Sequence, residues 1–182
     1  STATRVNEAG LIESVAANLP RINYENGQGY FLLEPQRSNI TTYSSDFTQT
    51  EWNKTNIKEV LSNQGISPDG QNNAQKLVSS IGVALSNTSV LDVLSGLAAS
   101  TQHSFSVFCK ESGFNSVKVL FDDGLNLANR IDGVFDLANG TILSNSAQGT
   151  FSSASASIDD YGNGWFRCTI SGTTSTLTTA RA

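Results

Sequence analysis

Residue types that metal and nucleic-acid sites require are scarce in this 182-residue chain. It has one histidine, His103, and two cysteines, Cys109 and Cys168, so neither a multi-histidine cage nor a four-thiolate zinc site is expected. The 11 Lys and Arg residues form no cluster and are outnumbered by 16 Asp and Glu, which argues against nucleic acid as a partner. No apolar run approaches the roughly 20 residues of a membrane helix, and the polar start is not a secretory signal.

Methionine is absent as well, so Ser1 is not a native translation start and we expect a piece of a longer protein or a processed product. Charged residues make up 15% of the chain, against about 25% in typical soluble domains. Ser, Thr and Asn take their place, with 59 residues in all. The sequence therefore predicts a surface of hydroxyls and amides.

Short apolar runs with a period of two predict strands from residue 75 onward. The predicted strands are 75–81, 104–110, 117–121, 131–137, 141–143, 150–158 and 165–171, with Leu77 and Ile81 facing inward in the first of them. Asp122-Asp123-Gly124 and Asn139-Gly140 supply turn chemistry between them. Residues 89–99 fit a short helix or a strand equally well. This spacing is typical of an all-β, antiparallel sandwich or jelly roll.

The first 37 residues differ from the rest, because their two apolar patches, Leu11-Ile12 and 30–33, lie among polar residues. We interpret 1–37 as an N-terminal arm or hairpins lying on the sandwich or on a neighbouring subunit, and 38–182 as the jelly-roll β-sandwich.

Three segments of the N-terminal region resemble a stretch found in bacteriophage tail-fibre, tailspike and related virion proteins. They are Ala3 to Glu13 (ATRVNEAGLIE), Asn18 to Tyr24 (NLPRINY) and Leu32 to Asn39 (LLEPQRSN). The stretch 43–54 continues the match and is similar to the opening strand of jelly-roll carbohydrate-binding modules. Phe105 to Lys110 and Gly162 to Cys168 resemble two later strands of the same phage module.

This resemblance implies a jelly-roll module on a virion surface, assembled in the host cytoplasm, homotrimeric, in contact with other virion proteins and attached to a host surface polysaccharide. The family has a further aromatic strand after the one that holds Cys168, whereas this chain stops at Ala182. The resemblance therefore implies that a last strand is missing or is supplied by a neighbour.

Aromatic side chains are the candidates for a sugar ligand, since their faces suit the apolar side of a pyranose while amides and carboxylates take its hydroxyls. The candidates are Trp52, Tyr43, Tyr161 and Trp165, with Tyr30 less favoured. For both tryptophans core packing is the favoured interpretation.

Two acid pairs, Asp122-Asp123 and Asp159-Asp160, could supply oxygen ligands to a structural Ca²⁺, although acids in such positions more often begin turns. No other cofactor is expected. Paired acids are also what a glycoside hydrolase needs, but nothing in the sequence distinguishes these acids from ordinary turn acids. His103 could belong to a hydrolase triad, but the sequence has no Gly-x-Ser-x-Gly motif to present a serine nucleophile. We predict no enzyme activity.

Cys109 and Cys168 lie on strand faces that also hold Phe and Ile, so each is interpreted as a small buried hydrophobe. Free thiols are favoured over a disulfide, which stays an alternative.

Three functions remain as hypotheses. The first is host attachment through a cell-surface glycan, without catalysis. The second is a structural fibre module for spacing, capping or trimerisation, without a ligand. The third, an accessory or catalytic domain of a depolymerase, is the least favoured.

Overall fold

The computed structural model describes residues 3–16, 19–33, 39–80, 82, 88–95, 97–124, 127–175 and 179–181. Within them all regular structure is β-strand, in antiparallel pairs, so the all-β prediction is confirmed. The sixteen strands are β1 Ala3–Val6, β2 Ile12–Val15, β3 Ile22–Glu25, β4 Gln28–Phe31, β5 Asn53–Thr55, β6 Ile57–Leu61, β7 Lys76–Ser79, β8 Ser89–Leu91, β9 Val93–Ser95, β10 Gln102–Lys110, β11 Ser116–Asp122, β12 Arg130–Asp136, β13 Thr141–Gln148, β14 Ser152–Asp160, β15 Trp165–Thr173 and β16 Thr179–Arg181.

Two compact units divide the chain: Ser1–Asn39 with Ser62–Gln75, and Ile40–Leu61 with Lys76–Ala182. The first unit contains the hairpins β1–β2 and β3–β4. Asn26 and Gly27 both have positive φ, as a two-residue hairpin turn requires between β3 and β4. The Asn23 side chain joins the two hairpins by accepting a hydrogen bond from the Val6 amide at 2.7 Å. The N-terminal region therefore folds as hairpins, with the loop 62–75 packed in the same unit.

The second unit is built on a three-stranded sheet, β10-β15-β14, and a five-stranded sheet, β13-β12-β11-β16-β9. Side chains of both sheets form one buried core. Its buried members are Val119, Phe121, Ile131, Phe135, Leu137, Phe151, Cys168 and Ile170. Two small pairs, β5-β8 and β6-β7, complete the unit.

Close approach of the two sheets depends on glycines at their contact. A Cβ on Gly172 of β15 would lie 2.5 Å from Ile131 Cδ1 of β12, and a Cβ on Gly133 of β12 would lie 2.9 Å from Ile170 Cγ2 of β15. Both distances are shorter than real side chains allow, so a larger residue at either position would force the neighbouring side chain to shift.

The six strands predicted between residues 104 and 171 are confirmed, as is the hairpin at Asn139-Gly140. Residues 89–95 form two short strands separated by Asp92, which decides against a helix there. The prediction that Leu77 faces inward is wrong, because this side chain is 39% exposed. β6 and β7 form a two-stranded sheet separate from the two sheets that share the core, and Leu77 is not among the residues of that core. Ile81 lies outside the described residues, as do Asn18 and the stretch 34–38 of the phage-like segments.

Candidate functional site

The three-stranded sheet has one face in the core and one face toward solvent. Phe105, Val107 and Cys109 of β10 alternate into the core, and Phe166, Cys168 and Ile170 of β15 do the same. Their neighbours therefore project from the opposite face. We call this surface the hydroxyl face. Its members are Ser104, Ser106, Phe108 and Lys110 of β10, Trp165, Arg167, Thr169 and Ser171 of β15, and Ser155, Ser157 and Asp159 of β14.

Small hydroxyl side chains cover most of this face. Ser104, Ser155 and Ser157 are exposed, whereas Thr169 and Ser171 are half-buried. Ser155 and Ser171, which are opposite each other on β14 and β15, share a hydrogen bond of 2.7 Å between their hydroxyls. From Ser104 to Lys110 the row of β10 is six residue steps long, roughly 20 Å at 3.3 Å per residue. The face is thus a long polar strip that both donates and accepts hydrogen bonds.

Aromatic side chains gather at one end of the strip. The rings of Phe108 and Tyr161 meet edge to face, with centroids 5.0 Å apart and planes at 89°. The guanidinium of Arg167 lies 5.9 Å from the centre of the Phe108 ring. Trp165 is opposite Lys110 on the same face and is half-buried. We call Phe108, Tyr161 and Trp165 the aromatic end.

The β14–β15 hairpin positions this end. Asp160 accepts a hydrogen bond from the Gly162 amide at 2.7 Å, which starts the turn. Gly162, Asn163 and Gly164 all have positive φ, and Tyr161 and Trp165 close the loop through a 2.9 Å backbone hydrogen bond. Lys110 Nζ donates to the Asn163 carbonyl at 2.6 Å and so ties β10 to the loop. The glycine-rich sequence therefore fixes Tyr161 beside Phe108.

Arg167 is exposed and inclines toward β10. Its Nη2 and Nε donate to Ser106 Oγ at 3.2 and 3.4 Å. The ladder also places Arg167 opposite Asp159 of β14, yet no ion pair joins these two residues. The guanidinium and the carboxylate are adjacent groups of opposite charge, both open to solvent.

The structure separates the four aromatic candidates of the sequence into two groups. Tyr161 and Trp165 belong to the aromatic end, whereas Trp52 and Tyr43 lie together elsewhere in the second unit. Trp52 is 4% exposed, packs on Phe47 at 4.8 Å and donates from Nε1 to the Tyr43 carbonyl at 3.0 Å. The Trp52 ring therefore has no free face for a ligand, which agrees with its interpretation as a packing residue. Tyr30, the less favoured candidate, is in the first unit and 42% exposed.

Sequence reasoning missed Phe108 and Arg167. The signal was present for Phe108, because it is a large apolar residue on the side of β10 that otherwise holds Ser104, Ser106 and Lys110. Arg167 could not be assigned from sequence, since its position over Phe108 depends on the pairing of β10 with β15.

The two acid pairs also lie in different surroundings. Asp122 is fully buried; its Oδ1 accepts from the Gly124 amide at 2.6 Å, and both of its oxygens accept from Arg181, at 2.9 and 3.0 Å. Asp123 accepts from Asn129 Nδ2 at 2.7 Å. Asp159 and Asp160 are exposed. Among the described residues, no group of three or more His, Cys, Asp or Glu side chains is arranged to hold a metal ion.

Cys109 and Cys168 are both free thiols, on the core face of the sheet. A hydrogen bond between the two thiols, together with burial, raises the pKa of Cys109. The ladder pairs Cys109 with Phe166 and Val107 with Cys168, so the cysteines are diagonal neighbours. Diagonal Cα atoms in a sheet lie about 7–8 Å apart, which is beyond ordinary disulfide geometry. His103 bonds through a ring nitrogen to the Ala98 carbonyl at 3.1 Å.

Comparison with known proteins gives no match, either to a family model or to a curated sequence. The described residues include no helix of the length and apolarity needed to cross a membrane.

Proposed function

We propose that this chain is a non-enzymatic module of a bacteriophage virion surface, and that it attaches to a host cell-surface glycan through the hydroxyl face. The observation that carries the proposal is the aromatic end beside a strip of exposed and half-buried hydroxyls. Sugar recognition needs an apolar ring surface and hydrogen-bonding groups within reach of each other. The sequence resemblance to phage fibre proteins supplies the virion context.

The fold we propose is a jelly-roll β-sandwich. In its support, two antiparallel sheets share one core, and β10 pairs with β15 rather than with its neighbour in sequence. The chain also passes from β13 in one sheet to β14 in the other. Such exchanges between sheets are typical of Greek-key sandwiches.

A glycan array of bacterial surface polysaccharides, probed with the intact chain, tests the function. We expect binding to at least one glycan. The variant Phe108→Ala should weaken it at least tenfold, because truncation of an aromatic anchor usually removes a large share of the binding free energy. Tyr43→Ala is the matched control, since Tyr43 is 38% exposed but lies outside the hydroxyl face. Glycan binding by this variant should equal that of the wild type. A chain that binds no glycan in its intact oligomer would contradict the proposal.

The absence of catalysis is part of the proposal and has its own test. Incubation with any polysaccharide that binds should release no reducing ends. Release of reducing ends by the wild-type chain would instead favour the depolymerase hypothesis.

The second candidate, a structural fibre module that trimerises, has its own supporting observation. Apolar side chains of the first unit are strongly exposed, with Leu19 at 61%, Phe31 at 66% and Leu33 at 91%. Exposed apolar groups in one region are typical of contact surfaces. Light scattering should then give the mass of a homotrimer, and Phe31→Ser with Leu33→Ser should shift it toward monomer. A wild-type monomer at micromolar concentration would count against this function.

A further inference from the structure

Arg167 and Asp159 present complementary hydrogen-bonding groups on neighbouring strands. A guanidinium only donates and a carboxylate only accepts, whereas each sugar hydroxyl does both. The two residues are opposite each other on β15 and β14, strands that lie about 4.8 Å apart. Because Arg167 inclines toward Ser106 and Phe108, the acceptor atoms of Asp159 stay open to solvent. This arrangement suits two adjacent hydroxyls of one sugar ring.

The charges around the hydroxyl face disfavour an acidic ligand. The ammonium of Lys110 is already bonded to the Asn163 carbonyl, and Arg167 has the carboxylate of Asp159 opposite it on the face. The whole chain has a formal net charge of −5. A polyanion would therefore meet a negatively charged protein, at a site where Lys110 is bonded to the backbone and Arg167 lies opposite an acid. An uncharged, hydroxyl-rich chain meets no such repulsion.

We infer that the hydroxyl face takes a neutral saccharide, with Arg167 and Asp159 binding adjacent hydroxyls and the aromatic end contacting the apolar side of the ring. This inference rests on the proposed function and assigns the ligand class. The row of hydroxyls along β10, β15 and β14 continues the contact to further units of the saccharide.

Affinity electrophoresis of the intact chain tests the ligand class. The gels contain a neutral polysaccharide (dextran, laminarin or galactomannan) or an acidic one (alginate or polygalacturonate), at low and at high NaCl. We expect retardation by one or more neutral polysaccharides and an equal dissociation constant at both salt concentrations, since no charge is neutralised on binding. The glycan array extends the comparison to neutral and acidic bacterial glycans.

Variants test the residues. Arg167→Ala and Asp159→Asn should each weaken binding at least tenfold, and Asp159→Asn does so by turning one acceptor oxygen into a donor group. Glu111→Gln is the control, because Glu111 is an exposed acid just beyond the end of β10, and its binding should equal that of the wild type.

The remaining outcomes separate the two proposals. Retention by acidic glycans alone, weakened by salt, would overturn the neutral class and leave glycan attachment standing. Neutral binding that survives both variants would overturn the assignment of Arg167 and Asp159. Failure to bind any glycan of either class would remove the proposed function itself.

Discussion

The five-stranded and three-stranded sheets contribute their inner faces to a common core, but they hold polar side chains on their outer faces in different ways. On the five-stranded sheet the charges are engaged with each other. Arg181 binds Asp122 through two hydrogen bonds, and Arg130 and Lys118 lie 2.8 and 3.6 Å from Asp132. Asp122 and Asp132 are 0% and 7% exposed.

On the three-stranded sheet the comparable groups are open. Arg167 and Asp159 are exposed and make no ion pair with each other, although the ladder places them opposite each other. Charges that are paired within the protein have little left to offer a ligand, whereas open donors and acceptors can exchange water for sugar hydroxyls at small cost. The difference between the two outer faces is a second reason, beside the aromatic end, for placing the proposed ligand on the three-stranded sheet.

The largest effect is expected from Arg181→Ala. This change leaves the Asp122 carboxylate buried without its cation, and breaking a buried pair costs about 3–5 kcal/mol. Because the Arg181 side chain is itself 26% exposed, we expect the lower end of that range. Arg167→Ala removes an exposed arginine and should cost about 0–1 kcal/mol. Urea unfolding at pH 7 measures both.

An equal loss of stability in Arg181→Ala and Arg167→Ala would contradict the contrast between the sheets, because the charges on the two outer faces would then contribute alike to stability. A small cost for Arg167→Ala also matters for the ligand tests. It shows that loss of glycan binding in this variant does not come from unfolding.

A smaller loss of stability is expected from substitutions at Ser171 and Gly172, neighbouring residues of β15 that point to opposite faces of the sheet. Gly172→Ala introduces a Cβ 2.5 Å from Ile131 and 3.1 Å from the Ser152 carbonyl, so overpacking should cost about 1–3 kcal/mol. Ser171→Ala, on the hydroxyl face, removes one exposed hydrogen bond to Ser155 and should cost about 1 kcal/mol or less.

Both substitutions lie on the same strand, but replacing glycine by alanine also reduces the entropy of the unfolded chain, which by itself favours stability. A net loss of stability in Gly172→Ala therefore reports overpacking. Thermal or urea unfolding should rank Gly172→Ala below Ser171→Ala in stability. The reverse order would show that the contact between β15 and β12 is looser than the distances indicate.

Sequence patterns predicted the inner faces of these strands well and the site poorly. Alternation in 104–110 and 165–171 was enough to separate core residues from solvent residues, because a strand has a strict period of two. The same alternation could not show that Phe108, Tyr161 and Arg167 meet, since that depends on the register between β10 and β15 and on the β14–β15 turn.

The acid pairs illustrate the same limit. Asp122-Asp123 and Asp159-Asp160 look alike in sequence. Yet Asp122 is fully buried and accepts a hydrogen bond from Arg181, which lies 59 residues further along the chain. Burial and long-range partners decide what a carboxylate does, and neither is written in the local sequence. Trp52 is similar, because its partner groups, Phe47 and the Tyr43 carbonyl, come from a stretch without regular structure.

The smallest change in stability is expected at two hairpin turns, one in each sheet. Asp136 begins the turn between β12 and β13, and Asp160 begins the turn between β14 and β15. Asp136 accepts hydrogen bonds from the Asn139 side chain and from the Ala138 and Asn139 amides, and these hold its pKa below the usual 3.8. Because the folded-state pKa is the lower one, the ionised carboxylate stabilises the fold above pH 3.8, and this contribution is lost as the pH falls through the folded-state pKa.

Asp136→Asn should therefore be less stable than wild type at pH 7, with a difference that shrinks below pH 3.8. Asp160 makes a single bond of this kind, to the Gly162 amide at 2.7 Å, so Asp160→Asn should show the smaller difference at pH 7. Urea unfolding of both variants and of the wild type at pH 7, pH 3 and pH 2 measures these differences. A deficit for Asp136→Asn that stays constant down to pH 2 would mean that shape rather than charge stabilises its turn. The charge of Asp136 would then contribute nothing to the contrast between the sheets, and the electrostatic part of that contrast would be confined to their outer faces.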